Sequence, residues 1–389
     1  MSAAAARCLN IRDLQAQAKR HLPRVIYDYL EGGADDEACL QHNEARLLAH
    51  RLRPRYLVDI GTRSQRVTVF GQTYASPIGI GPMGMLGMVR DDGDLVLAEA
   101  AHAAQVPFVL SGASNASIER IAERAPASWL QYYPCASDEV ERDLLVRAAA
   151  AGLQTLVVTV DVPLHSKRER NIRSGWVRPY KPTLAVMFES LSHPAWVASY
   201  LRRGLPAMEN FAPYAPAGTG ARALTAFYAS QVPTRHGWPL MERLRERWRG
   251  QLVVKGLLAA EDAERAATLG VDGLIVSNHG GRQLDRSIAA IDALPEIAAA
   301  VGQRLVVMFD SGIRRGADAA VAIALGARLC FVGRAAAYGL AAFGTAGARR
   351  SIEILQDELD QTLGQIGCVE IGQLDPSWLS TSRSPTAPV

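Results

Sequence analysis

The sequence predicts an α/β protein built as a (β/α)8 barrel, and three features of its 389 residues carry that expectation. Eight short apolar runs recur from Ser76 onward: PIGIGPMG (77–84), VPFVLSG (106–112), SWLQYY (128–133), TLVVTVD (155–161), QLVVKG (251–256), GLIVSNHG (273–280), RLVVMFDSG (304–312) and RLCFVGR (328–334). Their near-continuous Val, Ile and Leu content suits strands covered on both faces, as in a parallel sheet. Ala-rich stretches with apolar residues three and four apart lie between them. Several open on Ser, Asp or Gly and close on Gly152, Gly270 or Gly326, as capped helices do. Finally, polar residues collect where the apolar runs end. Eight such alternations close into a barrel more naturally than they splay, and the doubly wound alternative lacks a GxGxxG after its first run.

Taken in order, residues 10–50 read as helices, and QRVTVFGQTYASP (65–77) as a hairpin covering the barrel floor. The strand-helix alternation follows, with helical stretches GDLVLAEAAHAA, SIERIAERA, DEVERDLLVRAAAAG, AEDAERAATLG and GADAAVAIALG. One gap breaks the rhythm. About ninety residues separate Asp161 from Gln251, where a βαβ unit needs about thirty. The insertion, about 175–240, is rich in Pro, Trp and Tyr and holds a short apolar helix candidate from Pro194 to Leu201. A Ser/Thr/Pro tail (380–389) ends the chain, which is expected to form one domain over 1–389 with this insertion.

Composition narrows the class. Hydrophobic content of 49% with 21% charge is that of a folded globular protein. A net charge of +3, from 42 basic and 39 acidic residues, gives no footprint for nucleic acid. The five scattered cysteines have no CxxC spacing and read as reduced thiols, not as a disulfide framework or a zinc site; no HxH or HExxH pair supports a zinc hydrolase. The N-terminus lacks a signal peptide's apolar core and no run is long enough to span a bilayer, so a cytoplasmic protein, at most attached to a membrane, is expected.

In such a barrel the chemistry sits at the C-terminal ends of the strands. Those ends deliver Gly84, Ser111, Gln131 with Tyr133, Thr159 with Asp161, Lys255, Ser277 with His279, Asp310 with Gly312 and Arg314, and Gly333 with Arg334. DSGIRRG (310–316) and VGR (332–334) each set small residues before an Arg at the start of a helix. Backbone N–H groups there cradle a phosphate, and Arg adds forked charge. SNHGGRQLD (277–285) places His279 at a strand end beside glycines, with Arg282 suited to a carboxylate and Asp161 available to orient the imidazole. His165, a few residues past another strand end, is the rival base.

Together with YDYLEGGADDE (27–37), LRPRYL (52–57) and TVDVP (159–163), these motifs resemble the FMN-dependent L-2-hydroxy-acid oxidase/dehydrogenase family over about residues 9–379. The resemblance implies FMN as cofactor. It implies that Lys255 lies by the flavin N1–C2=O edge, that Ser111, Gln131, Thr159 and Ser277 serve the isoalloxazine, and that the main chain of Met83 and Gly84 approaches N5. Asp310 would bind the ribityl chain, and Gly312, Arg314, Gly333 and Arg334 the phosphate. Tyr29, Arg168 and Arg282 would clamp the substrate carboxylate, Tyr133 would meet the 2-hydroxyl, His279 would take the proton and Asp161 would hold it ready. Whether the C2 hydrogen leaves as a proton or as a hydride is open at this point.

Departures from the family pattern bear on substrate and acceptor. LSGASNAS puts Ala113 where glycolate oxidase has Trp, and this loop, GLLAAEDAERA, QIGCVEI and the closing TAPV resemble the mandelate-oxidising branch. The implied substrate is (S)-mandelate or a similar aromatic acid. L-lactate dehydrogenase and a soluble peroxide-forming oxidase are the alternatives, with a non-catalytic flavin-binding barrel as the reading from another class. Gly84 resembles dehydrogenases that pass electrons to a quinone or another non-oxygen acceptor. The SHPAW…LRRGLP…NF pattern resembles a membrane-attaching segment, in which Trp and Tyr would sit at the interface and Arg202 and Arg203 would meet anionic headgroups; an active-site lid is the other reading. The family often forms tetramers.

Overall fold

The computed structural model describes residues 3–176, 180–231 and 237–380. The tail with its closing TAPV lies outside them apart from Ser380. A two-stranded antiparallel hairpin, β1 (Val67–Val69) and β2 (Gln72–Tyr74), precedes eight parallel strands. These are β3 (Ile78–Ile80), β4 (Val109–Leu110), β5 (Trp129–Tyr132), β6 (Thr155–Thr159), β7 (Gln251–Leu257), β8 (Gly273–Val276), β9 (Val306–Asp310) and β10 (Leu329–Val332). Each falls on one of the eight apolar runs, β7 extending one residue past its run. The sheet runs β3-β10-β9-β8-β7-β6-β5-β4, and a parallel bridge from Ile80 to Phe108 joins its two ends. The result is the (β/α)8 barrel.

Strand alternation explains the continuous apolar runs. Val109, Trp129, Val157, Val253, Ile275, Met308 and Phe331 point inward and form one cluster. Their neighbours, such as Leu156, Val158, Leu252, Val254 and Leu274, point outward and pack under the helices. The first strand contributes Gly79, where a Cβ would come within 2.9 Å of the Phe331 ring, so that aromatic fills the space for both strands. At the floor, Val69 and Tyr74 of the hairpin close the inner cluster, as anticipated, and the Tyr74 hydroxyl accepts from the Trp129 indole at 3.3 Å. Helix stops fall on Gly152, Gly270 and Gly326, all in the positive-φ region where an L side chain is strained.

The insertion is where the expectation needs correction. It spans the connection from β6 to a regular barrel helix, Trp238–Arg247, and carries helices Leu184–Ser190, Pro194–Arg203 and Ala221–Gln231 with a 3-10 turn at Glu209–Tyr214. Its tryptophans and Tyr180 do not face outward. Trp176, Tyr180 and Trp196 are buried, and the Trp196 indole donates to the Met88 carbonyl at 2.9 Å. Tyr200 stacks on Trp196, meets Tyr180 edge-on, and Tyr180 leads through Trp176 to Tyr29. The apolar surface that faces out lies one helix earlier. Leu184, Met187, Phe188 and Leu191 are 73, 53, 73 and 64% exposed, at spacings of three and four that place them on one face. Among the described residues no helix is long and apolar enough to cross a membrane.

Candidate active site

Two residues beyond each inward-pointing apolar side chain comes the next inward position, and there the barrel turns polar. Val109 is followed by Ser111, Trp129 by Gln131, Val157 by Thr159, Val253 by Lys255, Ile275 by Ser277, Met308 by Asp310 and Phe331 by Gly333. The period of two that packs the core thus also presents one ring of polar groups at the mouth. Above it lies a cavity of about 550 Å3. Tyr29, Met83, Gly84, Ser111, Ala113, Tyr133, Arg168, Lys255, His279, Arg282, Asp310, Gly312, Arg314, Gly333 and Arg334 line it. Gln131, Thr159, Asp161 and Ser277 stand just behind that lining.

At the centre, His279 Nδ1 lies 2.8 Å from Asp161 Oδ1. Its backbone φ of +58 is rare for a residue with a side chain. The backbone is held there by bonds from His279 N to Ser277 Oγ at 3.0 Å and from Gly280 N to Ser311 Oγ at 3.0 Å. Lys255 Nζ donates to Ser277 Oγ at 2.7 Å and lies 3.2 Å from Asp310 and 3.8 Å from Asp161. Gly256, with φ +111, lets the two strands approach: a Cβ there would fall 2.5 Å from the Asp161 Cβ.

Electrostatics sets the protonation states. Burial holds the His279 ring below its ordinary range, against the pull of Asp161 and with the Lys255 charge adding to the effect. Burial opposes the charged form of Asp161, but His279 and Lys255 outweigh it and keep the carboxyl below its usual value. Lys255 loses stability as a cation by burial, yet Asp310 and Asp161 more than restore it. At neutral pH the site therefore holds a neutral imidazole between an anion and a fixed cation, the state a proton acceptor requires.

The arginines are organised by the N-terminal motif. Arg282 donates to the carbonyls of Tyr29, Leu30 and Gly32 at 3.0, 3.3 and 2.8 Å and lies over the Tyr29 ring at 5.4 Å. Arg334 donates to the carbonyls of Glu31, Gly32 and Gly280. Gly33 and Gly281 allow the close contact, with Ala34 N donating to Gly281 O at 2.9 Å. Arg168 donates to Ser166, the Arg282 carbonyl and Gln283, and the Tyr29 hydroxyl donates to the Gly84 carbonyl at 2.9 Å. His165 also lines the cavity, but from an exposed loop position at the rim.

Sequence reasoning missed several participants. Gln283 links Arg168 to the Asp161 carbonyl, and the Ser311 hydroxyl accepts from Asn278 and Gly280; both lie inside motifs already singled out. Trp176, Met208, Thr225 and Tyr228 line the cavity from the insertion, whose aromatic content was the available signal.

A flavin mononucleotide fits this lining on one specific observation. Among the described residues, the Gln131 Nε2 and Thr159 Oγ1 atoms are buried in the barrel without a hydrogen-bond partner, although the Gln131 oxygen is engaged by Ser111 and Gly112. Buried polar groups are seldom left so. Beside them Lys255 supplies a cation, and Gly333 begins the helix Arg334–Phe343, with Arg314 and Arg334 at the same end of the cavity.

A barrel with a phosphate-type loop pair and a base–carboxylate pair over a polar rim defines a cofactor-dependent oxidoreductase. The chain belongs to the FMN-dependent dehydrogenase family, whose profile matches residues 18–381, and its cofactor is FMN. It is 39% identical over 382 residues to (S)-mandelate dehydrogenase of Pseudomonas putida, covering 98% of this chain and 96% of that protein. It is 36% identical over 370 residues to L-lactate dehydrogenase of Caulobacter sp. (strain K31), covering 95% and 97%. Among solved structures, the monotopic membrane protein (S)-mandelate dehydrogenase superposes with a TM-score of 0.92 at 39% identity, covering 96% of this chain and 99% of that one. A mandelate oxidase superposes at 0.81 with 32% identity, covering 96% and 98%.

Proposed function

We propose that this FMN-dependent dehydrogenase oxidises an aromatic L-2-hydroxy acid of the (S)-mandelate type to the 2-oxo acid. The observation that carries the reading is the His279–Asp161 pair at a cavity whose lining includes the small Ala113, in the loop after β4, and Met208 and Tyr228 from the insertion. Arg168 and Arg282 hold the substrate carboxylate, Arg282 being pre-oriented by three carbonyls, and a planar fork suits that group better than an ammonium. Tyr29 and Tyr133 orient the acid, with Tyr133 meeting the 2-hydroxyl. His279 takes the proton released on oxidation, and Asp161 stabilises the imidazolium that forms. Bound FMN supplies the two-electron acceptor. Ser111, Gln131, Thr159, Lys255 and Ser277, with the main chain of Met83 and Gly84, hold its ring; Asp310 holds the ribityl chain, and Gly312, Arg314, Gly333 and Arg334 the phosphate.

The exposed stripe of Leu184, Met187, Phe188 and Leu191 supports peripheral attachment to a membrane, where a quinone receives the electrons. Burying each such side chain contributes up to about 1.5–3 kcal/mol, and Lys181, Arg202 and the Asp91-paired Arg203 are exposed nearby in the chain. The lactate relatives make L-lactate the second reading. Anaerobic titration of the purified flavoprotein with mandelate, lactate, phenyllactate and glycolate separates the two. Rapid bleaching of the flavin by mandelate is expected; rapid bleaching by lactate and none by mandelate overturns the aromatic reading. Dye reduction without oxygen uptake is expected of a dehydrogenase.

A further inference from the structure

We infer that Asn115 is the positioning residue that fixes the apolar wall of this cavity, and that through the wall it sets the preference for acids with a bulky C2 substituent over small ones. The inference rests on the function proposed above and assigns that preference to a side chain standing behind the lining.

Three segments far apart in sequence meet at the buried Asn115 side chain. Its Oδ1 accepts from Gly87 N at 2.9 Å, in the short helix Leu86–Val89. Its Nδ2 donates to Ala207 O at 3.0 Å and lies 3.8 Å from Met208 Sδ. Its own backbone belongs to the loop after β4, where the Ala113 carbonyl accepts from Met85 N at 2.9 Å. Each segment supplies cavity wall: Met85 and Leu86 from the first, Met208 from the second and Ala113 from the third. One amide thus uses both ends of its side chain to hold three pieces of wall in register. The fit is close. A Cβ on Gly87 would fall 2.9 Å from Asn115 Oδ1 and 2.7 Å from Pro206 Cβ, and one on Gly84 would fall 2.9 Å from Ala113 Cβ.

Asn115 is itself anchored. Its backbone N–H donates at 3.1 Å to Asp94 Oδ2, on a carboxyl only 2% exposed. Burial pushes that carboxyl up to about 7, with the Asn115 N–H pulling the other way. Keeping an acid there costs stability, which hydrogen bonds to the loop offset. The insertion docks on the same loop through separate bonds, from Ser117 N to Glu209 Oε2 at 2.9 Å and from Ile118 N to Asn210 Oδ1 at 2.8 Å. Those bonds bring the insertion to the loop, and the Asn115 amide sets where Met208 sits. The reacting groups are held from other directions: His279 by Asp161 and Ser277, and Arg282 by the carbonyls of Tyr29, Leu30 and Gly32. Loss of the Asn115 side chain therefore loosens the wall and leaves the rim in place. A small acid, held by its carboxylate and hydroxyl, should barely register the change; a phenyl group packed on the wall should lose contact area.

The test compares the FMN-loaded native protein with Asn115→Ala, using (S)-mandelate and L-lactate. The KM for mandelate is expected to rise about tenfold with kcat within about threefold, and the KM for lactate to change by less than about twofold. The mandelate-to-lactate ratio of kcat/KM then falls about tenfold. Met208→Ala closes a double-mutant cycle: with Met208 truncated, Asn115→Ala should lower the ratio by no more than about twofold further. Gly87→Ala crowds the same amide oxygen and should lower the ratio in the same direction; it carries the test where Asn115→Ala yields no folded holoenzyme. Equal losses for the two acids, an unchanged ratio, or full additivity with Met208→Ala overturns the inference while leaving mandelate oxidation in place. Native flavin that mandelate does not bleach overturns the parent function instead, and this inference with it.

Discussion

The barrel rim and the insertion solve different problems with similar residue types. At the rim, strand register dictates placement: each polar group stands two residues beyond an apolar one, so the core that stabilises the barrel also aims its chemistry. In the insertion no such register operates. Trp176, Tyr180, Trp196 and Tyr200 turn inward as packing and cavity wall, while Leu184, Met187, Phe188 and Leu191 turn outward. On the proposed function the rim carries the reaction, while the insertion bears on which acid and which surface the reaction is offered to.

Substitutions can break that division. The largest loss short of the base itself is expected from Arg282→Met, which removes a pre-oriented cation and the contacts tying residues 29–32 to the rim. A fall in kcat/KM of about 10²–10³ is expected, from a loss of roughly 3–4 kcal/mol, read by steady-state dye reduction. Asp161→Asn should lower kcat by about 10²-fold. It also sharpens the electrostatic account. In the native protein kcat/KM should rise with pH as His279 loses its proton, with a midpoint below the ordinary imidazole value because burial depresses that ring. Asp161 opposes the depression, so its removal should move the acidic limb to still lower pH; a limb that moves upward contradicts the assignment.

Gly256→Ala tests the close approach of β7 to Asp161. At φ +111, with a Cβ only 2.5 Å from the Asp161 Cβ, it should cost about 1–3 kcal/mol of stability and slow flavin reduction, measured by thermal unfolding and stopped-flow absorbance. The smallest effect on chemistry is expected from Leu184→Ser combined with Phe188→Ser. Sedimentation with anionic vesicles should fall severalfold while soluble dye reduction stays within about twofold. A large loss of turnover there would mean that the outward stripe belongs to the active site.

Much of the rim was legible because period-two alternation and strand-end chemistry act locally, and SNHGGRQLD and DSGIRRG state their roles in consecutive residues. Gln283 and Ser311 were in view but unassigned, since their partners, Arg168, Asp161 and Asn278, come from distant segments or from backbone atoms. In the insertion, the interfacial placing of Trp and Tyr did not hold, for a physical reason. An amphipathic aromatic suits a membrane interface and a buried wall equally well, and only tertiary contact decides between them. The LAVMFESL stripe has a helical period, but periodicity identifies a face without saying what covers it.

The central claim is that His279, held by Asp161, is the proton acceptor of an aromatic 2-hydroxy-acid dehydrogenase. Its most direct test is anaerobic stopped-flow reduction of the bound flavin by (S)-mandelate in the native protein and in His279→Asn, a replacement suited to the positive φ at this position. The native flavin should bleach rapidly, and the variant, with an unchanged oxidised spectrum, should bleach at least about 10³-fold more slowly. Equal bleaching in the two proteins would contradict the account.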